Sequence, residues 1–333
     1  MIRAAWWMLL ALVCAWPSHV RAEAPLRLWH AWRGAEEAAL VETLRGWDGP
    51  PVEVLAIPYD AFSSKLGSAI PFGEGPDVYV ESHERLGEYR RRELVAPIEL
   101  DRSVFEPVAW SAVTIDGEAL ALPLSLKSQA LYVNDALVDT VPRTLEDIVA
   151  LQPSLPDGVV ALAYEAQSPY AHAPILHAFG GRLLADDGSF GFVGPEAVAS
   201  LELVAAMLDA GAVPREADGA LVTNLFRAGK AAFAMSGPWL ASDLSGEHGD
   251  VLRYHVVPLP RLGATGQLLA PLLTVEAVML SPSGAAKPEA RALAAFLADA
   301  GAAKLRMQRA RMVSARTDVP SDDPLVRAFA EQA

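Results

Sequence analysis

Cysteine is almost missing: Cys14 is the only one in 333 residues. A chain with one thiol closes no internal disulfide, so its fold must rest on a buried apolar core. With 52% apolar residues against 20% charged ones, material for that core is ample. Long apolar runs are equally scarce. One opens the chain, from Ala4 to Trp16, and no later segment is long and apolar enough to cross a bilayer. Basic residues are outnumbered, 27 Lys and Arg against 41 Asp and Glu, for a net charge of −14. Such a surface repels nucleic acid and anionic lipid, which excludes both as expected partners. No internal repeat or low-complexity tract is present, which argues against a solenoid and against disorder. The chain also lacks a serine nucleophile elbow, an HExxH pair and a phosphate-binding loop, so neither a catalytic motif nor a cofactor or metal site is expected.

What is present begins with MIRAAWWMLLALVCAWPSHVRAEAP. Arg3 precedes the apolar run, Pro17 breaks it, and Val20-Arg21-Ala22 leads into Glu23. A short positive region, a run too short to span and small residues at its end make residues 1–22 a signal peptide with cleavage after Ala22. The expected location is periplasmic or extracellular. Loss of Arg3 and Arg21 leaves 25 basic residues against 41 acids, a net charge of −16. An uncleaved anchor through WWMLLALVCAW is the alternative. Acylation of Cys14 is disfavoured, because Val13 stands where a lipoprotein signal has a small residue.

The length suits two domains. LRLWHAW reads as a buried strand broken at Gly34, and EEAALVETLRGW as a helix with Leu40, Val41, Leu44 and Trp47 on one face. VEVLAI is a second strand, residues 59–70 a helix, and DVYV a third strand after Gly75-Pro76. This alternation predicts an α/β fold with a mainly parallel sheet. EALALPLSLKSQALYVN breaks the rhythm with two extended runs joined by polar SLKSQ. It is either a crossover between two α/β lobes or a long β-hairpin. Thr144 caps a helix that starts with Leu145. PEAVASLELVAAMLDAG makes another helix, with Val198, Leu201, Val204, Met207 and Leu208 turned to a core. In FRAGKAAFAMSGPWLASDL a helix ends at Phe226, AAFAM is an interior strand, and Gly237-Pro238 sets Trp239 at the strand's carboxyl end. Ligands of open α/β sheets lie there, although a tryptophan is as readily a core residue.

Several segments occur in one order across nearly the whole chain after residue 22: WHAWRGAEEAAL, GEGPDVYVESHERLGEYRRRELVAPI, ALPLSLKSQALYVNDALV, PRTLEDI, FRAGKAAFAMSGPW and SPSGAAKPEARALAAFLAD. Together they resemble the solute-binding proteins of ABC transporters, of the maltose/maltodextrin-binding type. The resemblance implies a two-lobe periplasmic-binding-protein-like fold hinged by extended crossovers, with a mainly parallel sheet flanked by helices in each lobe. One lobe takes residues 26–124 and 274–316, the other residues 128–268 and the tail 317–333. It implies an oligosaccharide or disaccharide in the cleft, permease subunits as protein partners, a monomer, and no enzymatic activity.

Carried over residue by residue, the resemblance places Glu84 and Arg85 on sugar hydroxyls, since a carboxylate accepts and a guanidinium donates. A surface ion pair explains the same two residues. Tyr170 and Trp239 match aromatics that stack on pyranose rings, whose C–H face is apolar. Arg33, in the WHAWRG turn, joins the candidate set. Glu81 stands where the maltodextrin binders have a cleft tryptophan, Lys127 where they have a glutamate, and Ser168 where they have the glutamate before Pro-Tyr. Lys127 would pair with Glu81 or Glu84, face an acidic sugar, or lie in a solvated loop. The three departures put maltose itself in doubt, and a neutral glucoside is the expected ligand. After MVSARTDVP only SDDPLVRAFAEQA remains, where maltose binders continue with helices and one more aromatic. That suggests a shortened lobe or a binding unit fused to a permease subunit. A sugar-sensing receptor domain is a further alternative. A glycosidase is not expected, because Glu81 and Glu84 on one segment offer no carboxylate pair across a glycosidic bond.

Overall fold

The computed structural model describes residues 24–185, 187–244 and 252–333. The expected signal segment and its cleavage after Ala22 lie outside the described residues. Twelve strands are named here in chain order: β1 (Leu26–His30), β2 (Val52–Ala56), β3 (Val78–Ser82), β4 (Thr114–Ile115), β5 (Glu118–Ala119), β6 (Leu122–Lys127), β7 (Ala130–Asn134), β8 (Val160–Ala163), β9 (Ala231–Ser236), β10 (Tyr254–Val257), β11 (Thr274–Leu280) and β12 (Val313–Ser314). Ten of them form two sheets, ordered β12-β6-β11-β3-β1-β2 and β10-β7-β9-β8, and β4 pairs only with β5.

β6 and β7 are separated by only Ser128 and Gln129, yet they sit in different sheets. The SLKSQ stretch is therefore a crossover and not a hairpin. The return crossing ends at β11, whose Thr274 lies opposite Lys127 of β6. This is the two-lobe α/β fold that the sequence suggested, with one difference. β2 and β3 run parallel to β1, and β8 parallel to β9, but β11, β6 and β12 pair antiparallel, as do β7 with β9 and β10. The sheets are mixed because each receives strands that enter from the crossovers in the opposite direction.

Helices cover the sheet faces. The helix Ala35–Leu44 packs against the helix Ala300–Ala310, with Leu40 buried in the same apolar cluster as Leu293 and Leu297 while Val41 is exposed. The helix Pro195–Asp209 also turns differently from its expected face: Ala197, Ser200, Val204 and Met207 are buried, whereas Val198 is 55% and Leu201 60% exposed. Small residues let this face approach its neighbours closely, and burial follows shape as well as apolarity. Close approach is also visible at Gly284, where an added Cβ would fall 1.9 Å from the Asp77 carbonyl oxygen. Buried Asp77 itself pairs with Lys287 at 2.8 Å. The tail helix Pro324–Gln332 docks through Phe329, whose ring meets Tyr132 of β7 at 6.0 Å.

Candidate functional site

The strand directions decide which side chains can meet. β1, β2 and β3 end at one edge of the larger sheet, and the antiparallel β11 begins and β6 ends at that same edge. The turn at Trp32, the helix start at Tyr59, the short 3₁₀ turn His83–Arg85, Thr274 and Lys127 are thereby brought together. In the smaller sheet Ala130 of β7 lies opposite Ser236 of β9, so Trp239 falls on the side of the crossovers. β8 runs parallel to β9 and delivers the helix Pro169–Ala178, with Tyr170, to the same side. The two edges face each other across the crossovers, at carboxyl ends of strands.

Glu84 joins them. Its Oε1 accepts a hydrogen bond from the Thr274 hydroxyl at 2.7 Å, and its Oε2 accepts one from the Tyr59 hydroxyl at 3.2 Å. The Tyr170 hydroxyl lies within the influence of Thr274 and Glu84, and burial pushes it up to about 12. Tyr170 and Trp239 are in ring contact, 6.3 Å between centroids with a 45° tilt. An arc of side chains therefore runs from Trp239 through Tyr170, Thr274 and Glu84 to Tyr59. Arg85 lies beyond it, its guanidinium 5.6 Å from the Tyr59 ring centre. Trp239 is half-buried and sits in the first turn of the helix Pro238–Leu244, so Gly237-Pro238 opens a helix instead of a loop. Its ring packs back over Gly237, which has no Cβ to block it. His83 holds the edge together, with its Nδ1 accepting from the Val275 N–H at 3.1 Å. That bond puts the neutral ring's proton on Nε2.

Two candidates take other places than expected. Glu81 lies beneath the arc, 1% exposed, its Oε2 accepting from the Tyr89 hydroxyl and its Oε1 without a partner among the described residues. Burial raises its pKa to about 7, opposed by the Tyr89 hydrogen bond and by Arg85. A carboxyl group so enclosed is not a cleft-wall residue. Lys127 pairs with neither Glu81 nor Glu84. Its ammonium lies 2.9 Å from Glu36 Oε1 and 3.1 Å from Glu276 Oε1, with 15% of the side chain exposed. Trp32 Nε1 donates to the other oxygen of Glu276 at 2.8 Å. Lys127 is thus neither solvated nor free to meet an anion. Arg33 is exposed in the turn after β1, next to Trp32. Ser168, in place of an acid, caps the Tyr170 helix through its bond from the Ala171 N–H at 3.4 Å. Among the described residues no group of His, Cys, Asp and Glu is arranged to hold a metal ion.

The model of the family described as bacterial extracellular solute-binding protein matches residues 41–330. The chain belongs to this family. Its expected place is accordingly outside the cytoplasm, and its role is binding, not catalysis. Among similar proteins is the galactooligosaccharide-binding protein of Bacillus subtilis, 25% identical over 300 residues that cover 85% of this chain and 70% of the relative. The maltotriose-binding protein of Pyrococcus abyssi is 25% identical over 66% of this chain, and here the chain spans about half the relative, 49%. A solved cyclo/maltodextrin-binding protein complexed with maltotetraose is 26% identical, with a TM-score of 0.78 over 93% of this chain and 85% of that one. The maltose-maltodextrin binding protein of Alicyclobacillus acidocaldarius shares the fold at 23% identity, with a TM-score of 0.82 over 93% of this chain and 87% of the other.

Tyr59, Thr274, Glu276 and Trp32 were not singled out from sequence. Thr274 and Glu276 lie in an apolar strand on the far side of the chain from their partners, and no local pattern marks them. Tyr59 follows Pro58 at a helix start, a position that an exposed tyrosine fills without any function.

Proposed function

We propose that this solute-binding protein captures a neutral oligosaccharide of hexopyranose units between its lobes and delivers it to the permease subunits of an ABC transporter. The arc from Trp239 to Tyr59 carries the reading. It alternates aromatic faces with a hydroxyl, a carboxylate and a guanidinium, which is what a ring with an apolar face and a hydroxylated rim requires. Glu84 and Arg85 serve as acceptor and donor for hydroxyls, and Tyr170 and Trp239 as stacking surfaces. Lys127 is neutralised by two carboxylates, so an acidic sugar gains no counter-charge from it. The names of the relatives, which are binders of galactooligosaccharide, maltotriose and maltodextrin, favour the same ligand class. Residues 26–124 with 274–316 form one lobe in this reading and 128–268 with 317–333 the other. Binding closes them about Leu124–Ser128 and Ala270–Thr274.

A calorimetric panel tests this. Maltose, maltotriose, galactobiose, galactotriose, glucuronate and amino acids are titrated, and scattering is recorded with each ligand that binds. At least one neutral oligosaccharide binds and compacts the particle. Binding of glucuronate or amino acids alone would sink the proposal.

A further inference from the structure

Glu81, where the maltodextrin binders have a cleft tryptophan, is buried beneath the arc and offers no ring to the larger sheet's side of the cleft. Tyr59 stands close by. It follows Ile57-Pro58 at the end of β2 and is the first residue of the helix Tyr59–Ala69, where Pro58 has φ −53° and the Ala61 N–H bonds the Pro58 carbonyl at 2.9 Å. Proline's fixed φ sets the angle at which this helix leaves the strand, and with it the origin of the tyrosine side chain. The ring is 44% exposed. An exposed aromatic alone signals little, but this one is held from two sides. Its hydroxyl donates to Glu84 Oε2 at 3.2 Å, and the Arg85 guanidinium stands 5.6 Å from its centre. Such a ring has already lost much of its rotational freedom, so little ordering cost remains when a ligand covers it.

Its place along the arc matters more. Glu84 uses one oxygen for Thr274, beside Tyr170 and Trp239, and the other for Tyr59. The carboxylate therefore sits between two aromatic surfaces that belong to the two sheets. A hexose stacked on Tyr170 and Trp239 with a hydroxyl on Glu84 has its next residue on the far side of that carboxylate, where Tyr59 and Arg85 stand.

We infer that Tyr59 forms a second stacking subsite, on the larger sheet's side of the cleft, for a further pyranose unit of an oligosaccharide, so that the cleft selects by chain length. The inference rests on the oligosaccharide reading above. A purely positioning role, in which Tyr59 only orients Glu84, makes a different forecast, because it resides in the hydroxyl and not in the ring.

The test compares parent, Tyr59→Ala and Tyr59→Phe by calorimetry with glucose, maltose and maltotriose and with the galactose series of the same lengths. The readout is the ratio of disaccharide to monosaccharide affinity in the series that the parent binds. Tyr59→Ala narrows this ratio by about tenfold or more, in line with stacking on an aromatic, whereas Tyr59→Phe retains it. Melting without sugar checks that both variants fold, as substitution of a half-exposed ring permits. An unchanged ratio in Tyr59→Ala overturns the subsite alone, and so does a Tyr59→Phe variant that behaves like Tyr59→Ala. A parent that binds no oligosaccharide of either series overturns the oligosaccharide reading, and the subsite with it.

Discussion

One methyl group can test the stacking surface without touching the aromatic itself. A Cβ built on Gly237 would lie 2.0 Å from Cζ3 and 2.2 Å from Cη2 of Trp239, far inside any real contact. The atoms met belong to a rigid ring, so the whole indole of Gly237→Ala must swing away. The backbone itself admits alanine, since Gly237 is not among the positive-φ glycines. Its carbonyl keeps the bond from the Tyr132 hydroxyl at 2.8 Å. The perturbation is therefore confined to the Trp239 ring and its 6.3 Å contact with Tyr170. Loss of one stacking face is worth about 1 to 3 kcal/mol, or roughly five- to 150-fold in affinity. The cost to folding is smaller, because the indole is only partly buried and its displacement relieves much of an overpacking penalty of about 1 to 3 kcal/mol. Calorimetry with the best-bound oligosaccharide, beside thermal unfolding without sugar, separates the two effects, and Trp239→Ala gives the upper limit for the affinity loss. If Gly237→Ala binds as tightly as the parent, Trp239 is not a binding wall. If it melts far below the parent while its folded fraction binds normally, Trp239 is a core residue.

Three further outcomes follow from contacts away from the stacking face. Glu81 has a folded pKa of about 7 against about 4.5 in the unfolded chain. The folded state therefore holds the extra proton, and this contribution, complete below about pH 4.5, is lost as pH rises through about 7. Glu81→Gln keeps an acceptor for Tyr89 and removes the loss, so stability relative to the parent should rise by up to about 3 kcal/mol between pH 5 and pH 8 in urea unfolding; a parallel pair of pH profiles would contradict this. Lys127→Met leaves Glu36 and Glu276 facing each other without their cation and should cost about 3 kcal/mol, with part recovered in the double variant Lys127→Met/Glu276→Gln. No recovery would show that the pairing is not what Lys127 supplies. Thr144→Ala removes the acceptor of the Asp147 N–H, a 3.1 Å bond, and should lower stability by about 1 kcal/mol with sugar affinity untouched.

The order of elements was legible because it rests on local periodicity, and the pairing was not because it rests on distant partners. Hairpin and crossover both need two apolar runs around a polar SLKSQ. What separates them is that β6 pairs with β11 and β12, and β7 with β9 and β10. The same limit explains the mixed sheets, since strand direction depends on where the chain re-enters. In the helix Pro195–Asp209 apolar residues occupy nearly every side, so spacing offered more than one inward face. The face of Ala197, Ser200, Val204 and Met207 is the one buried, and there Ser200 meets His172 Nε2 at 2.9 Å, a partner 28 positions away that spacing does not reveal. The Thr144 cap, by contrast, was readable in full, because its bond spans only three residues.

The departures in the cleft were visible singly in the sequence, while their meaning lay in the way they combine. A lysine in place of an acid and a glutamate in place of a tryptophan look like a cleft recharged for a different ligand. In the fold the lysine closes a triad with Glu36 and Glu276, and the glutamate retreats beneath the arc against Tyr89. Glu276 lies two residues from Thr274 on β11, and Thr274 is 190 positions from the Glu84 it binds. The Lys127 triad thus anchors the start of the very strand that carries the hydroxyl to Glu84. A buried cation flanked by two carboxylates is held in place by the cost of separating them, and that rigidity passes through β11 to the arc. The substituted charges therefore act on the position of the wall and leave its chemistry to uncharged faces and one shared carboxylate. This combination suits a neutral sugar better than an anion.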